Sequence, residues 1–569
     1  MKGVSILLCL AVVFASFAGE YVSGKMSPEF TIYLNSDFTR QDAIDLSLGK
    51  KITKGDCRRV VPDAETGLVD FIANGGDFTS SVASKVALLL GEFIADADGE
   101  AILGGGGDWF WECFVNGRNI IDIFNGGNGT KPISKTNVPF VVSVKKGKNL
   151  VAFRVKAGSA GWSAALGVLE NKAKKKHRTY LTHASVGTVT VNFFTAAPVA
   201  GFVEYRPVGT DKWLRSYDIV GGLLRNDSNK HTIKLTGLQS NTVYEYRTGY
   251  IQIDSQERYG KVRKFRSFTD KPLEFKMFYT SDTQFPPGER QQWLKNYIKN
   301  CNAAEADIFF HGGDIDHGFY HAARVYLDSF INVLKAGSSH DQVLAISRGN
   351  HEYRGTESCH FFRYFGEVGN TRSYSMFRQG NVCFIVLDSG EDKPRVANNP
   401  NYYRTFDQPL MHEQRKWLEE AVKRPEFQTA KFRVVLVHSP MHQPYMSKSA
   451  KIVTDGVLSG DKTQYKIDLW VCAHTHRYAR SAAPGKPELR YIDERATAVQ
   501  ASPFITNGVL LVNDGPNGKD ADGSGILFHF RENEIEVKAM WQDGRVFDHF
   551  SIFPGGVLKE HQKITKVGK

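Results

Sequence analysis

The chain has 569 residues, more than one hydrophobic core usually supports, so we expect several domains. Its apolar content of 41% and charged content of 23% are typical of globular proteins and exclude a largely disordered chain. A net charge of +11, spread without a dense basic block, favours anionic substrates and argues against nucleic acid as a partner except as a substrate.

The amino terminus predicts export. Residues 1–24 combine Lys2, an apolar run over 4–18 and small residues suited to cleavage, which together indicate a secretory signal peptide. The alternative is a membrane anchor, but the run is shorter than the ~20 residues that span a bilayer, and no later segment is long enough. We therefore expect a secreted, extracellular protein without a membrane span, or a periplasmic one in a bacterium.

Export permits disulfides and glycosylation. Cys57 and Cys113 fall in one predicted domain and could pair, whereas buried free thiols are an equal alternative for the four other cysteines of the exported chain. Asn128 and Asn226 lie in N-glycosylation sequons, which matter only in a host that glycosylates.

Residues 25–172 alternate in short apolar runs separated by turn residues, a pattern that predicts a β-sandwich. Strands are expected at DWFWECFVNG, FVVSVKKG, NLVAFRVKAG and around Trp162. Gly104 to Gly107 are expected to form a mobile turn, because no Lys-Ser/Thr follows them as a phosphate loop requires. The segment resembles the jelly-roll, carbohydrate-binding-like modules of secreted enzymes, which implies a glycan or extracellular-matrix partner.

Residues 173–270 again alternate with period two and predict a second sandwich. The ending LTGLQSNTVYEYRTGY resembles fibronectin type III modules and the amino-terminal domain of purple acid phosphatases. That resemblance implies that Tyr244 is a corner tyrosine whose hydroxyl hydrogen-bonds back to the chain.

From 271 to 556 strands alternate with amphipathic helices such as QQWLKNYIKNC and MHEQRKWLEEAVKR, which predicts an α/β layer fold. A basic tail is expected over 557–569. Five apolar strands run directly into polar turns that carry metal-ligand residue types: FKMFYTSD, ADIFFHGGD, QVLAISRGNHE, RVVLVH and DLWVCAHTH. Because α/β sheets build their sites at the carboxyl ends of strands, we expect these side chains to converge.

Their order along the chain carries a family resemblance. The sequence reads Asp282, Gly313-Asp314, Gly349-Asn350-His351-Glu352, His438 and His474-Thr-His476. This order resembles the calcineurin-like metallophosphoesterases, most closely their purple acid phosphatase-like branch. The resemblance implies a multidomain protein in which two amino-terminal β-sandwiches precede an α/β domain with αββα layering.

The resemblance also implies a dinuclear metal centre. Asp314 would bridge the two ions, Asp282 and His476 would complete the first site, and Asn350, His438 and His474 would complete the second. Carboxylate, imidazole and amide ligands independently suit first-row metals that catalyse hydrolysis. The ions could be Fe, Zn, Mn or similar.

Two positions depart from the purple acid phosphatase pattern. Gln284 replaces a glycine, and its amide oxygen could bind the first metal. His317 replaces the tyrosine that binds ferric iron, so the purple colour is not expected. His317 could be a ligand, a hydrogen-bond donor behind the ligands or a substrate contact.

In such enzymes a metal-bound hydroxide attacks phosphorus in line. His351 is the candidate general acid, with a purely positioning role for Asn350 as the alternative. His442 could hold the substrate or serve as the acid, and Arg477 could bind phosphate or only face solvent.

The sequence therefore predicts an exported, metal-dependent phosphomonoesterase or phosphodiesterase acting on a phosphorylated substrate. One alternative is a glycan- or matrix-binding protein whose phosphoesterase domain is inactive, which the changes at Gln284 and His317 favour. Another is a secreted nuclease, which the basic charge favours.

Overall fold

The computed structural model describes residues 22–78, 85–125, 132–158, 161–169, 179–195, 199–251, 257–284, 287–320, 341–392, 407–440, 452–460, 463, 465–481, 489–491, 508–512, 524–554 and 556–562. Of the predicted signal peptide, 1–21 lie outside this range. Val22 packs against the first hydrophobic core and Gly24 begins a strand, so ordered structure starts inside the predicted 1–24 segment. No helix within these ranges is long and apolar enough to cross a membrane.

The first segment consists almost entirely of strands. Its elements are β1 Gly24–Met26, β2 Phe30–Ser36, α1 Arg40–Ser47, β3 Asp56–Val60, β4 Leu68–Asp70, β5 Val86–Ala95, β6 Gly99–Gly107, β7 Phe110–Val115, β8 Arg118–Asp122, β9 Val138–Val144, β10 Gly147–Lys156 and β11 Ser163–Val168. One sheet has the order β3-β2-β5-β10-β7-β8 with β1 beside β5, and the other has the order β4-β11-β6-β9. Apolar side chains from both sheets form one core, in which Trp111 stacks on Phe153 with ring centroids 5.0 Å apart.

The prediction of a mobile turn at Gly104 to Gly107 is wrong, because these glycines lie in strand β6 between β9 and β11. Because these glycines have no side chains, large residues of the facing sheet can pack against the strand. A Cβ on Gly105 would lie 2.5 Å from the Phe153 ring, and one on Gly107 would lie 2.6 Å from the Trp111 ring. The glycine run therefore lets the large aromatic residues of the facing sheet fill the core.

Cys57 and Cys113 do not form a disulfide; both thiols are free. Cys57 lies on β3 and Cys113 on β7, with three strands between them. Four strand spacings amount to roughly 19 Å, far beyond the ~7 Å limit for the Cα atoms of a disulfide.

The second segment contributes strands to three sheets. Its elements are β12 Tyr180–Ser185, β13 Thr188–Phe194, β14 Ala200–Pro207, β15 Leu214–Tyr217, β16 Ile219–Val220, β17 Leu223–Leu224, β18 Lys230–Leu235, β19 Val243–Ile251, β20 Glu257–Tyr259 and β21 Arg263–Arg266. The hydroxyl of Tyr244 accepts a hydrogen bond from the backbone N–H of Gln239 at 2.8 Å. The bond back to the chain that was expected of Tyr244 is thus present.

The third segment contains two mixed sheets and the main helices. Its elements are β22 Phe275–Thr280, α2 Pro287–Asn300, β23 Ile308–His311, β24 Val343–Ile346, α3 Phe361–Phe365, β25 Ser375–Gln379, β26 Val382–Leu387, α4 Asp407–Ala421, α5 Pro425–Gln428, β27 Phe432–Val437, β28 Leu469–Cys472, β29 Ala479–Ser481, β30 Leu489–Tyr491, β31 Val509–Val512, β32 Ser524–Phe530, β33 Ile535–Trp541, β34 Val546–Phe553 and β35 Val557–Gln562. The two helices expected from QQWLKNYIKNC and MHEQRKWLEEAVKR are α2 and α4.

The two sheets share a large core. The first has the order β18-β13-β12-β24-β23-β22-β32-β33-β34-β35 and the second β25-β26-β27-β28-β31-β29-β30. Side chains from both sheets, such as Met277 and Leu436, belong to one buried cluster. On the other faces, Leu294 of α2 packs in a cluster with β22 and β23, and Leu418 of α4 packs in one with β26 and β27.

Two predicted boundaries do not match these elements. Strands β12, β13 and β18 continue the first sheet, because Leu181 pairs with Val343 of β24, so the sheet crosses the boundary drawn at 270. Strand β35 pairs with β34, so the boundary of the basic tail at 557 falls before the last strand.

Candidate metal centre

The site lies where five parallel or adjoining strands end. Strands β22, β23 and β24 pair in parallel in one sheet, and β27 and β28 pair in parallel in the other. The residues that follow these strands carry the candidate ligands. Because both sheets end their parallel strands at the same edge of the molecule, the turns bring together Asp282, Gln284, Asp314, Asn350, His438, His474 and His476.

Four of these residues form what we call the four-residue cluster: Asp314, Asn350, His438 and His474. One ligand atom each from Asp314, His438 and His474 lies within 4.8 Å of the others. The Asn350 Oδ1 atom lies 3.0 Å from His438 Nε2 and 2.9 Å from His474 Nδ1. A carboxylate, an amide oxygen and two imidazoles thus face one small volume.

A second group, the Asp282–His476 pair, adjoins this cluster. His476 Nε2 lies 3.4 Å from Asp282 Oδ1, and Asp282 Oδ2 accepts the backbone N–H of His474 at 3.2 Å. Gln284 is buried, and its side-chain amide donates to Asp314 Oδ2 at 2.9 Å. Asp314 therefore has one oxygen toward Gln284 and the other 3.3 Å from His438 Nε2.

The backbone at the site is held in an unfavourable conformation. Asp282, Asp314, His474 and His476 have positive φ angles of 51°, 57°, 72° and 54°. Such a conformation costs a non-glycine residue roughly 1–2 kcal/mol and is concentrated at functional sites. Convergence of the ligands requires these sharp turns, so the rest of the fold must offset the strain.

Two glycines allow the turns to approach each other. A Cβ on Gly313 would lie 2.7 Å from His438 Nδ1, and one on Gly349 would lie 2.6 Å from the backbone nitrogen of Asp314. Any side chain at either position would push the ligand loops apart. Close approach of the loops is therefore the reason for Gly-Asp and Gly-Asn at the two strand ends.

Burial and charge set the protonation of the cluster. Burial lowers the pKa of His438, but the Asp314 carboxylate outweighs it and raises that pKa to about 10. Burial raises the pKa of Asp314, but the positive charge of His438 outweighs it and holds that pKa well below its usual value. Burial, reinforced by the positive charge of His438, lowers the pKa of His474 to about 4.

The buried carboxylate of Glu352 ties two ligand loops together. It accepts backbone N–H groups from Asp314 at 2.9 Å, Ile315 at 2.8 Å and Gly349 at 2.6 Å. Burial, with repulsion from Asp314, raises the pKa of Glu352 to about 7. His438 is fixed similarly, because its Nδ1–H donates to the carbonyl oxygen of Gly312 at 2.7 Å and leaves Nε2 facing the cluster.

The donor set fits divalent first-row metals. Mixed imidazole nitrogens and carboxylate or amide oxygens suit zinc, manganese or iron rather than calcium or a thiolate-selective metal. The oriented ring of His438 and the cradle around Gly313 and Gly349 are what a metal site requires, since outer contacts normally fix the ligands.

The contacts of His351 disagree with its predicted role as general acid. Its Nδ1–H donates to the carbonyl oxygen of His317 at 3.0 Å, and its Nε2 accepts from Arg354 at 2.9 Å. Burial and the nearby Arg354 charge hold the pKa of His351 well below its usual value. A neutral ring whose Nε2 already accepts a hydrogen bond has no proton there to donate to a leaving group.

The remaining predicted residues lie in different surroundings. His317 packs edge-on to the His351 ring, with centroids 5.8 Å apart, so it adjoins the site. Arg477 follows His476, is half-buried and forms no ion pair with a residue that the structure describes. His442 and Asn128 lie outside the described residues, and Asn226 is exposed, as a glycosylation site must be.

Sequence reasoning assigned no role to three charged residues at the site: Glu352, Arg354 and Asp392. Glu352 ends the motif Gly349-Asn350-His351-Glu352, but the motif alone indicated no function for it. Asp392 follows strand β26, whose sequence VCFIVL runs into DSGED, so the strand-end pattern used for the other ligands could have found it. Arg354 gave no signal, because its contacts depend on that same loop.

A match to a known protein family agrees with this geometry. The family model of the calcineurin-like phosphoesterases matches residues 275–478. The chain contains a calcineurin-like phosphoesterase domain. A probable purple acid phosphatase of Arabidopsis thaliana is 21% identical over 380 residues, covering 64% of this chain and 75% of that protein. A purple acid phosphatase from seeds of yellow lupin, Lupinus luteus, aligns in structure with a TM-score of 0.47 and 14% identity, covering 82% of this chain and 93% of that one.

The family match ends at residue 478, just after the last candidate ligand, His476. The matched range includes every candidate ligand from Asp282 to His476. The family and its purple acid phosphatase relatives support a phosphoric ester hydrolase with a dinuclear metal centre.

Proposed function

We propose that the protein is an exported phosphomonoesterase or phosphodiesterase that works with two metal ions. The observation that carries this proposal is the convergence of Asp314, His438 and His474 within 4.8 Å, at the ends of strands from two sheets. The two sheets and the helices outside them are consistent with αββα layering. The amino-terminal sandwich would then serve to bind a glycan or another extracellular surface.

The candidate ligands divide between two metal positions. Asn350, His438 and His474 would hold one ion, and Asp282 and His476 the other, with Gln284 beside it. Asp314 would serve both ions; its two oxygens face His438 and Gln284 respectively. When bound, the ions would lower the pKa of a water and neutralise charge on the phosphate oxygens.

The protein's own groups orient the reaction. Glu352 holds the Asp314 and Asn350 loops at a fixed separation, so the phosphate would meet a preformed site. Arg477 lies beside His476 with no ion pair among the described residues and is a candidate phosphate contact. Since His351 is neutral, His442 remains the candidate among the predicted residues for protonating the leaving group.

Elemental analysis combined with a substrate panel tests this function. We expect purified protein to contain two metal ions per chain and to hydrolyse aryl phosphate monoesters or diesters. Asp314→Asn should lose metal and lower kcat/KM by at least about 10²-fold, because one bridging side chain serves both positions.

Asp307→Asn is the matched control. Asp307 stands just before β23, at the opposite end of the strand that leads to Asp314, and its carboxylate accepts the backbone N–H of Lys276 at 3.0 Å. It should keep metal and activity. If the wild type hydrolysed neither ester class and Asp314→Asn left the metal content unchanged, the inactive, glycan-binding alternative would replace this proposal.

A further inference from the structure

Asp392 stands behind the four-residue cluster and contacts it on two sides. Its Oδ1 atom accepts from Asn350 Nδ2 at 2.9 Å, and its Oδ2 atom lies 3.9 Å from His474 Nε2. Both contacts are on the far side of the ligand atoms, since Asn350 Oδ1 and His474 Nδ1 face each other at 2.9 Å. Asp392 is therefore placed to orient two ligands without occupying the metal position.

The contact with Asn350 decides which way the amide points. An ionised carboxylate only accepts hydrogen bonds, so the NH₂ group of Asn350 must face Asp392 and its oxygen must face the cluster. A reversed amide would place two oxygens against each other and turn a donor toward the metal position. The orientation of the Asn350 amide thus decides whether an oxygen that can bind a metal faces the cluster.

Arg354 holds this carboxylate in place. Its guanidinium donates to Asp392 Oδ1 at 2.7 Å and to both oxygens of Glu391, at 2.6 and 2.9 Å. It also donates to His351 Nε2 at 2.9 Å. Arg354 is 4% exposed and Glu391 is 8% exposed, so these groups interact in a largely water-free environment.

We propose that Asp392 is a positioning residue that keeps the Asn350 oxygen directed at the second metal position, and that Arg354 keeps Asp392 in register. This inference rests on the proposed two-metal function. It adds that the loop after β26, which supplies none of the predicted ligands, determines the affinity of one of the two metal positions.

Metal titration of the full chain tests the role of Asp392. Metal-free protein is titrated with Zn²⁺ against a competing chelator, so that both dissociation constants are measured without reference to activity. Asp392→Asn should weaken one binding event by about 10–100-fold, the range typical for loss of a group that orients a ligand. The other event should change by less than about threefold, because the candidate ligands that Asp392 contacts, Asn350 and His474, belong to the second metal position.

The same substitution in a second variant, Asn350→Asp, distinguishes loss of the Asn350 amide orientation from general disruption of the site. In Asn350→Asp, both oxygens at position 350 are equivalent, so no amide needs to be oriented, and an asparagine at 392 can donate to the new carboxylate. Asp392→Asn should therefore weaken Zn²⁺ binding in the wild-type background and leave it unchanged or stronger in the Asn350→Asp background. Equal weakening in both backgrounds would overturn the proposal, as would unchanged binding in the first.

Asp388→Asn is the control for loss of a buried Arg–Asp pair. Asp388 belongs to the same loop and accepts from Arg348 Nε at 2.7 Å, but none of the hydrogen-bond partners of its carboxylate in the described chain is a candidate ligand. It should lower the melting temperature without changing either Zn²⁺ affinity.

A wild type that binds fewer than two Zn²⁺ ions would count against the proposed function itself. A wild type that binds two ions, together with an Asp392→Asn variant of unchanged Zn²⁺ affinity, would count against the role of Asp392 alone.

Discussion

The candidate ligands are held in position partly by contacts from residues that are not ligands. The left-handed backbone at Asp282, Asp314, His474 and His476 would relax if nothing opposed it. Glu352 provides part of the restraint, since its two oxygens accept three backbone N–H groups from the turns that carry Asp314 and Asn350. The cost of the strained turns is thus offset by buried hydrogen bonds.

Glu352→Gln tests this restraint. One oxygen would become an NH₂ group that faces backbone N–H donors, so at least one buried donor loses its acceptor. We expect a loss of about 2–3 kcal/mol in unfolding free energy, the cost of such an unsatisfied group, together with a lower kcat/KM. Chemical denaturation and steady-state kinetics measure the two effects.

The control for this variant is Glu357→Gln in the following turn, where the carboxylate side chain is 26% exposed. It should behave as the wild type in both measurements. Equal behaviour of Glu352→Gln and the wild type would show that the three hydrogen bonds do not restrain the ligand loops.

At the level of elements, the strand ends explain why much of the site could be predicted. A run such as FKMFYT followed by Ser-Asp identifies both the strand and the end at which Asp282 stands. Parallel pairing then brings that end beside those of β23 and β24. The strand-end pattern could have pointed to Asp392 after β26, but the hydrogen bonds of Asp392 and Arg354 depend on the path of that loop, so their positioning roles could not be predicted.

For the glycine run, local composition led to a wrong prediction. Gly104 to Gly107 have turn-forming composition, but the large aromatic rings that need the vacated space come from β7 and β10. Only the facing side chains distinguish a packed glycine strand from a turn. The same limit applies to Cys57 and Cys113, whose separation depends on strand order rather than on sequence spacing.

Strand β28 also carries a pH-dependent contribution to stability. Asp468, just before the strand, accepts the backbone N–H of Arg433 at 2.8 Å, and burial raises its pKa from 3.8 to about 6. The folded chain therefore keeps a proton that the unfolded chain loses between pH 4 and 6. Stability falls as pH rises through this window, and the loss persists above it.

Asp468→Asn should remove this contribution. Its amide oxygen can still accept from Arg433, but it carries no charge to be buried. The variant should match the wild type near pH 4 and exceed it at pH 7 by up to about 3 kcal/mol, from a shift of roughly two pKa units. Melting temperatures recorded between pH 4 and 8 test this, and a constant difference across that range would contradict it.

In the whole molecule, the second and third segments share structure. Strand β12 extends the first sheet beyond β24, and the Tyr180 hydroxyl donates to the carbonyl oxygen of Tyr364 at 2.8 Å. The carboxylate of Asp341 accepts from Tyr246 and Arg263 of the second segment. Sequence periodicity identified strands on both sides of residue 270, but it could not show that they join one sheet, because pairing between distant strands leaves no local pattern.

The first segment is attached differently. Tyr320, six residues after Asp314, is 5% exposed and belongs to the hydrophobic core of the first sandwich. No strand pairing in the described part of the chain joins that sandwich to the two later segments. Its removal should therefore expose Tyr320 but leave every strand of the ten-stranded sheet in place.

Two truncations test this organisation. A chain that starts at residue 179 keeps β12, β13 and β18, so it should melt in one cooperative transition and bind metal with the stoichiometry of the full chain. A chain that starts at 271 leaves β24 as an unpaired edge and removes both partners of the Asp341 carboxylate, which favours aggregation and loss of cooperative melting. Size-exclusion chromatography and thermal circular dichroism measure these outcomes. Cooperative melting of the shorter chain at the temperature of the longer one would show that the shared sheet contributes little, and that the boundary at 270 separates two independently stable units.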